Sequence, residues 1–496
     1  MKAKITVNKN YTIGKIDKRI YGSFIEHLGR AVYEGIYDPE HKMSDDEGFR
    51  KDVIELVKSI DVPIVRYPGG NFVSGYNWED GIGDKSKRPK KLDFAWSSIE
   101  TNEVGIDEFQ SWAKKANTEI MMAVNLGTKG IEDAKNLLEY CNFSTDTYYS
   151  NLRKQNGFIK PFNIKTWCLG NEMDGEWQIG HKTSEEYGHL ALEVAKVLKC
   201  MDNNIELVVC GSSDENMSTF GSWELDVLDK TYDYVDYISL HQYYDNEDDN
   251  YYEFVGKSVC MNNFIKGVSA MCDAIKAKKH SNKTVNLSFD EWNIWYRTKD
   301  KPFNKWSAKQ HLLEEKYNFE DALLLGCMLM TLQNNCDRVK IACLAQLINV
   351  IAPIMTEKDG KVWKQTIFYP YMYASIFGRG ETMNVICESE GYKTKYSDFI
   401  PYVEKSVIHN EEKREITVFL VNRSLEEDMD VTINFENFGD CQQVEHIYLY
   451  CDDLKKENTP DTESIYPQKN DISTDKKEEH SIKIKKHSWN MIRYKY

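Results

Sequence analysis

The sequence predicts an α/β fold, a (β/α)8 TIM barrel with a C-terminal β-sandwich of jelly-roll type, on three observations. From residue 18 to 376, short β-rich runs alternate with longer helical stretches, as successive parallel βα units do. Polar and reactive residues follow nearly every run, on the face where such barrels build their sites. After Gly378-Arg379-Gly380 the pattern changes to short alternating strands with no long helix.

The eight barrel runs are Ile20–Ile25, Pro63–Arg66, Ile120–Leu126, Ile164–Leu169, Glu206–Cys210, Val235–Leu240, Val285–Phe289 and Val339–Leu344. Between them, Asp107–Lys115, Ser184–Lys199 and Phe264–Lys279 carry helical periodicity. In the second region Glu415–Asn422, Met429–Phe435, Val444–Tyr450 and Ser481–Tyr494 read as strands, and 452–480, polar and charged, as a solvated loop. Lys2–Val7 alternates in the same way, so residues 1–17 are expected to lend a strand to the sandwich. That leaves 18–376 as the barrel and 377–496 as the C-terminal domain.

Composition narrows the function. The chain has 496 residues, 63 basic and 79 acidic, for a net charge of -16. It offers no concentrated basic face for nucleic acid or anionic lipid, and a neutral substrate fits it better. Met1 to Ile20 is sprinkled with lysine and lacks the continuous apolar stretch of a secretory signal. The most apolar run, Ala322–Met330, is too short to span a bilayer and reads as a core helix. Twelve cysteines without Cys-x-x-Cys spacing, several inside apolar runs, point to a reducing cytoplasm and no zinc site. Phosphate-binding loops, nucleophile elbows and metal-ligand clusters are missing from the sequence.

Two runs end in glutamate: Trp167-Cys168-Leu169-Gly170-Asn171-Glu172 and Leu287-Ser288-Phe289-Asp290-Glu291-Trp292. The glutamates fall on strands four and seven, whose ends face each other across a barrel mouth. A facing carboxyl pair is the minimal equipment for cleaving a glycosidic bond. Either glutamate alone could simply cap a helix or pair with a base. Their Asn-Glu and Asp-Glu contexts, with Trp177 and Trp292 close by, favour chemistry.

The neighbouring residue types agree. Asn171 could hydrogen-bond a sugar 2-hydroxyl, and Arg66 could hold a nucleophilic carboxylate ionised. The Pro68-Gly69-Gly70-Asn71 turn allows close backbone approach to a ligand. His241 and Tyr243 could bond the nucleophile and the substrate, while Trp96, Trp292, Trp295 and Tyr296 offer faces for sugar stacking. Asn171 alone could be an ordinary turn residue, Arg66 a structural salt bridge and the Pro-Gly-Gly turn only a tight loop, while His241, Tyr243 and the aromatics could be plain core.

Taken together these pieces resemble the α-L-arabinofuranosidases of glycoside hydrolase family fifty-one. The resemblance rests on Tyr21-Gly22-Ser23-Phe24-Ile25-Glu26-His27-Leu28-Gly29-Arg30, Arg66-Tyr67-Pro68-Gly69-Gly70-Asn71-Phe72, Gly170-Asn171-Glu172-Met173-Asp174-Gly175, His241-Gln242-Tyr243-Tyr244, Asp290-Glu291-Trp292-Asn293 and Leu344-Ala345-Gln346-Leu347-Ile348-Asn349. It implies Glu172 as acid/base and Glu291 as nucleophile of a retaining exo-glycosidase. Glu26, Asn71, Asn171, Tyr243, Trp295 and Gln346 would line the subsite for the terminal furanose, with Arg66 and His241 orienting the carboxylates. It further implies arabino-oligosaccharide, arabinan or arabinoxylan fragments as substrate, no metal or organic cofactor, and a homohexamer. Glu176 and Cys343 depart from the family pattern, which has proline and asparagine there. A β-xylosidase, an endo-glucanase or a non-catalytic sugar-binding barrel are the competing expectations; the last should lack one of the two carboxylates.

Overall fold

The computed structural model describes residues 1–297 and 305–496. Eight parallel strands close into a barrel: β1 (Gly22–Phe24), β2 (Ile64–Tyr67), β3 (Glu119–Val124), β4 (Thr166–Leu169), β5 (Glu206–Val209), β6 (Tyr237–Tyr244), β7 (Asn286–Ile294) and β8 (Val339–Ala345). Each pairs with its sequence neighbours, and β8 closes on β1 through Cys343↔Gly22 to Ala345↔Phe24. All eight predicted runs are strands of this barrel. Their near-continuous apolar sequences follow from burial on both faces, by side chains inside and helices outside.

The helical segments that follow the strands include Ile106–Ala116, Ser184–Met201 and Ser258–Lys278. Caps define the ends of some. Ser184–Met201 starts on a Thr183/Glu186 capping box, and Ile106–Ala116 ends on Asn117 in the left-handed region. The apolar run Ala322–Met330 belongs to the helix Phe319–Asn334, which is buried along nearly its whole length. It is apolar all round because it packs against the barrel and also against sandwich strands. At Gly326 a Cβ would stand 2.4 Å from Cδ1 of the buried Trp489, so glycine is what allows the two domains to meet this closely. Among the described residues no helix is long and apolar enough to cross a membrane.

The remaining strands form two sheets around a second core that includes Val407, Val418, Leu420, Val431, Ile433 and Phe435. The smaller sheet runs Ile386–Ser389, Lys2–Asn8, Met429–Glu436, Glu479–Ile484; the N-terminal strand pairs in parallel with Met429–Glu436. The larger is built on Val403–Asn410, Glu415–Asn422, Ser488–Lys495 and Cys441–Leu449.

Two expectations need correction. Ser481–Tyr494 is not one strand: Glu479–Ile484 and Ser488–Lys495 lie in different sheets, with His487 at φ 32° in the turn between them. The 452–480 segment is not simply solvated. Its Leu454 carbonyl accepts from the Phe319 and Glu320 amides, Ile465 is buried with the barrel core, and Asn458 is buried in bonds to the Ile465 backbone. A few apolar anchors among many charges are enough to dock it on the start of the interdomain helix.

Candidate active site

The mouth of the barrel holds a cleft of about 350 Å³ lined by Glu26, Asn71, Trp96, Glu172, Tyr243, Glu291, Trp295 and Gln346, among others. Arg66, Asn171 and His241 lie directly beneath, each almost wholly buried. The two predicted catalytic glutamates and the predicted furanose contacts are therefore gathered in one place, in two tiers. Two of the aromatic candidates are not: Trp292 is buried in β7, and Tyr296 donates its hydroxyl to Asp321 at 2.5 Å.

The strands deliver these groups in a way that alternation alone does not foresee. β6 and β7 run past the predicted strand ends, so His241 and Tyr243 lie inside β6 and Glu291 inside β7, with His241 opposite Glu291 in register. Register shifts occur between Ser239 and His241 and between Phe289 and Trp292. Such irregularities re-aim side chains next to sites. As a result both Asp290 and Glu291 reach His241, although adjacent strand residues ordinarily point to opposite faces.

His241 is the hub. Its Nδ1 lies 2.9 Å from Glu172 Oε1 and 3.6 Å from Glu291 Oε2, and its Nε2 lies 2.9 Å from Asp290 Oδ1. Burial works to lower its pKa, but Glu291, Asp290 and Glu172 outweigh that and hold it up at about 10. With both ring nitrogens facing carboxylates, the imidazolium is the form that satisfies every partner.

Glu291 accepts from Arg66 Nη1 at 2.6 Å and from the Tyr243 hydroxyl at 2.9 Å. Burial pushes its pKa up, as does Glu172; His241 and Arg66 oppose them. The second arm of Arg66 donates to Asn171 Oδ1 at 2.7 Å, its Nε faces Asp290 Oδ2 at 3.9 Å, and its guanidinium lies 4.9 Å over the Phe24 ring. Glu172 Oε2 accepts the Trp177 indole N–H at 2.7 Å. One oxygen from each of Glu172 and Glu291 and one His241 nitrogen all lie within 4.8 Å of one another.

Glu26 forms the opposite wall. Its Oε1 accepts from the Phe72 amide and the Trp96 indole, both at 2.9 Å, and its own amide donates to Gln346 Oε1 at 3.0 Å. Burial, reinforced by the Glu291 charge, pushes its pKa up to about 8. Gly70 is required at this wall: at φ 21°, a Cβ would stand 2.2 Å from Glu26 Oε2.

Other strand-end polar residues belong to the scaffold. His27 bonds Glu100 and Tyr67, and Asn125 ties the Tyr76 carbonyl to its own loop. Sequence reasoning passed over Asp290, noted Trp177 only as a neighbour, and missed Ser213 and Asp214, which also line the cleft. Of the two departures, Glu176 is exposed, and Cys343 is buried in β8, its thiol pKa pushed up by burial.

A carboxylate pair with an imidazole between them could hold a cation. A metal there would have to displace the proton that His241 shares with Glu172 and Asp290. With His241 between them, the two carboxyls are also placed to exchange a proton with a bound substrate.

Two protein-family models match the chain: the α-L-arabinofuranosidase 1 domain over residues 56–259 and the α-L-arabinofuranosidase C-terminal domain over 290–488. Among curated proteins, the intracellular exo-α-(1→5)-L-arabinofuranosidase 1 of Bacillus subtilis is 54% identical, covering 100% of this chain and 99% of its own. An intracellular exo-α-(1→5)-L-arabinofuranosidase of Halalkalibacterium halodurans is 55% identical over 99% of this chain and 98% of its own. Among solved structures, a family 51 α-L-arabinofuranosidase from Bifidobacterium longum superposes with a TM-score of 0.95 at 40% identity, covering 99% of each chain.

Proposed function

Since the chain belongs to the α-L-arabinofuranosidases of glycoside hydrolase family 51, we propose that it acts by double displacement, with Glu291 as nucleophile and Glu172 as acid/base. It is an exo-acting glycoside hydrolase. Its substrate on this proposal is a linear arabino-oligosaccharide with α-1,5 linkages, the linkage named for both curated relatives, and its compartment is the cytoplasm.

The observation that carries the mechanism is the carboxylate pair, one oxygen of each lying within 4.8 Å of one oxygen of the other. Retaining enzymes keep the pair at roughly 5–5.5 Å so that one can attack the sugar; inverting enzymes need roughly 6.5–9.5 Å to fit a water. Glu291, fixed by Arg66 and Tyr243, attacks the anomeric carbon while Glu172 protonates the departing oxygen. His241 Nδ1 is the proton donor adjacent to Glu172, and Trp177 gives up Oε2 to the glycosidic oxygen. Once Glu291 is esterified its charge is gone, and Glu172 takes a proton from water for the second displacement. Glu26, Asn71, Asn171, Tyr243, Trp295 and Gln346 hold the furanose.

The test is stereochemical. In NMR spectra taken within the first turnovers, arabinose released from an α-arabinofuranoside should appear as the α anomer. A β product would overturn double displacement. Turnover of arabinobiose should exceed that of aryl xylopyranoside or polymeric glucan and persist in EDTA. A loss restored by zinc, calcium or manganese would count against the proton-moving role of the His241 trio.

We also propose a homohexamer, on family membership alone. Light scattering should return six times the 57.8 kDa chain mass, and a monomer would refute it.

A further inference from the structure

We propose that Asp214, held in place by Gln242, accepts a hydroxyl of the leaving sugar, so that this chain selects a sugar leaving group over an aryl one. The proposal rests on Glu172 being the acid/base and Glu291 the nucleophile.

The leaving oxygen must lie beside the acid/base, so the leaving group sits on the Glu172 side of the cleft, away from Glu26 and Gln346. Glu172 follows β4. The loop after the neighbouring strand, β5, brings Ser213 and Asp214 to the same cleft. The two loops are tied together: Asp174 Oδ2, two residues past Glu172, accepts from the Ser213 amide at 3.1 Å and its hydroxyl at 3.2 Å. Asp214 is therefore fixed relative to the acid/base.

Its carboxylate is also braced. Oδ1 accepts the Asn216 amide and the Asn216 side-chain N–H, both at 2.8 Å, and Oδ2 accepts Gln242 Nε2 at 3.1 Å. Gln242 is itself buried in β6 between His241 and Tyr243, and its Oε1 accepts the Glu215 amide at 3.0 Å. A buried glutamine in this strand has a clear purpose if it aims Asp214. The two oxygens of a carboxylate provide about four acceptor positions, and three are filled in this way. The remaining one, on Oδ2, belongs to a half-buried, charged group lining the cleft.

A charge-assisted bond to a sugar hydroxyl is stronger than a neutral one, and a nitrophenyl group has no hydroxyl to give. The partner it fits is a neutral, hydroxyl-bearing sugar such as the next arabinofuranosyl unit. A uronate there would be repelled.

The experiment compares kcat/KM for α-1,5-arabinobiose and 4-nitrophenyl α-L-arabinofuranoside in wild type, Asp214→Ala and Asp214→Asn, with the thermal midpoint of each variant as a folding control. Asp214→Ala should lose about 10- to 100-fold on arabinobiose and no more than about twofold on the aryl substrate. Asp214→Asn, which keeps one acceptor oxygen, should fall in between, and the pH profile on the aryl substrate should not move. Equal losses on both substrates, a shifted aryl pH profile, or no loss on arabinobiose would overturn the assignment. Failure of the underlying role assignment would look different: with the aryl substrate a covalent adduct would build up on Glu291→Ala and not on Glu172→Ala, whatever Asp214→Ala did to the two substrates.

Discussion

Glu172→Ala is expected to react once with an aryl arabinofuranoside and then stall as a covalent glycosyl-enzyme. A phenolate of low pKa departs without protonation, so the first displacement survives, while no base remains to activate water for the second. On arabinobiose, whose leaving alkoxide needs a proton, the same variant should lose about 10²- to 10⁴-fold. Azide needs no deprotonation and should restore turnover. The site is suited to an anion there, because removing the carboxylate leaves His241 Nδ1 and Trp177 Nε1 as donors without their acceptor. The product should be the α-configured azide, since azide attacks an intermediate already inverted once.

Glu291→Ala should lose more than about 10⁴-fold on every substrate whatever the leaving group, because the carboxylate that forms the ester is gone. Any azide rescue of that variant should give the β azide. Mass spectrometry of the intact variants and NMR of the azide products read both results. A covalent adduct on Glu291→Ala but not on Glu172→Ala would show that the roles are reversed.

The barrel was legible in the sequence because strands buried on both faces are written as apolar runs, and all eight appear that way. The sandwich strand Met429–Glu436 was legible through alternation, and Glu415–Asn422, buried along its whole length, through its apolar run. Strand irregularity was not. Nothing in Phe289-Asp290-Glu291-Trp292 announces that two successive carboxylates will both reach His241, because a register shift depends on the partner strand and not on local residue type. Asp290 was hidden for that reason. Ser213 and Asp214 were hidden because a loop after a strand reads as ordinary turn chemistry until the acid/base beside it is located. His27 and Asn125 mark the limit of that signal: strand-end polar residues that brace the scaffold have the same sequence signature as those that meet a ligand.

Arg66→Met should be nearly as damaging as loss of the nucleophile, for an electrostatic reason. Arg66 and His241 are the cations beside Glu291, Asp290 and Glu172; of the two, Arg66 donates directly to Glu291 at 2.6 Å, while His241 Nδ1 stands 3.6 Å away. Burial already pushes the Glu291 pKa up, so removing the cation that opposes it must raise it further. Because the attacking form is the carboxylate, activity is present above that pKa and lost as pH falls through it. The acid limb of the kcat/KM profile should therefore move to higher pH, and activity near neutrality should fall by about 10³-fold, equivalent to roughly 4 kcal/mol.

Azide should not help, since the first displacement is the step that fails. Part of the lost rate should instead return as the pH is raised. Arg66→Lys supplies the charge but not the fork that spans Glu291 and Asn171, so it should restore the limb more than the maximal rate. If the limb of Arg66→Met stays where the wild type has it while the rate falls, Arg66 shapes the site without controlling the charge on Glu291, and the nucleophile owes its ionisation to His241 instead.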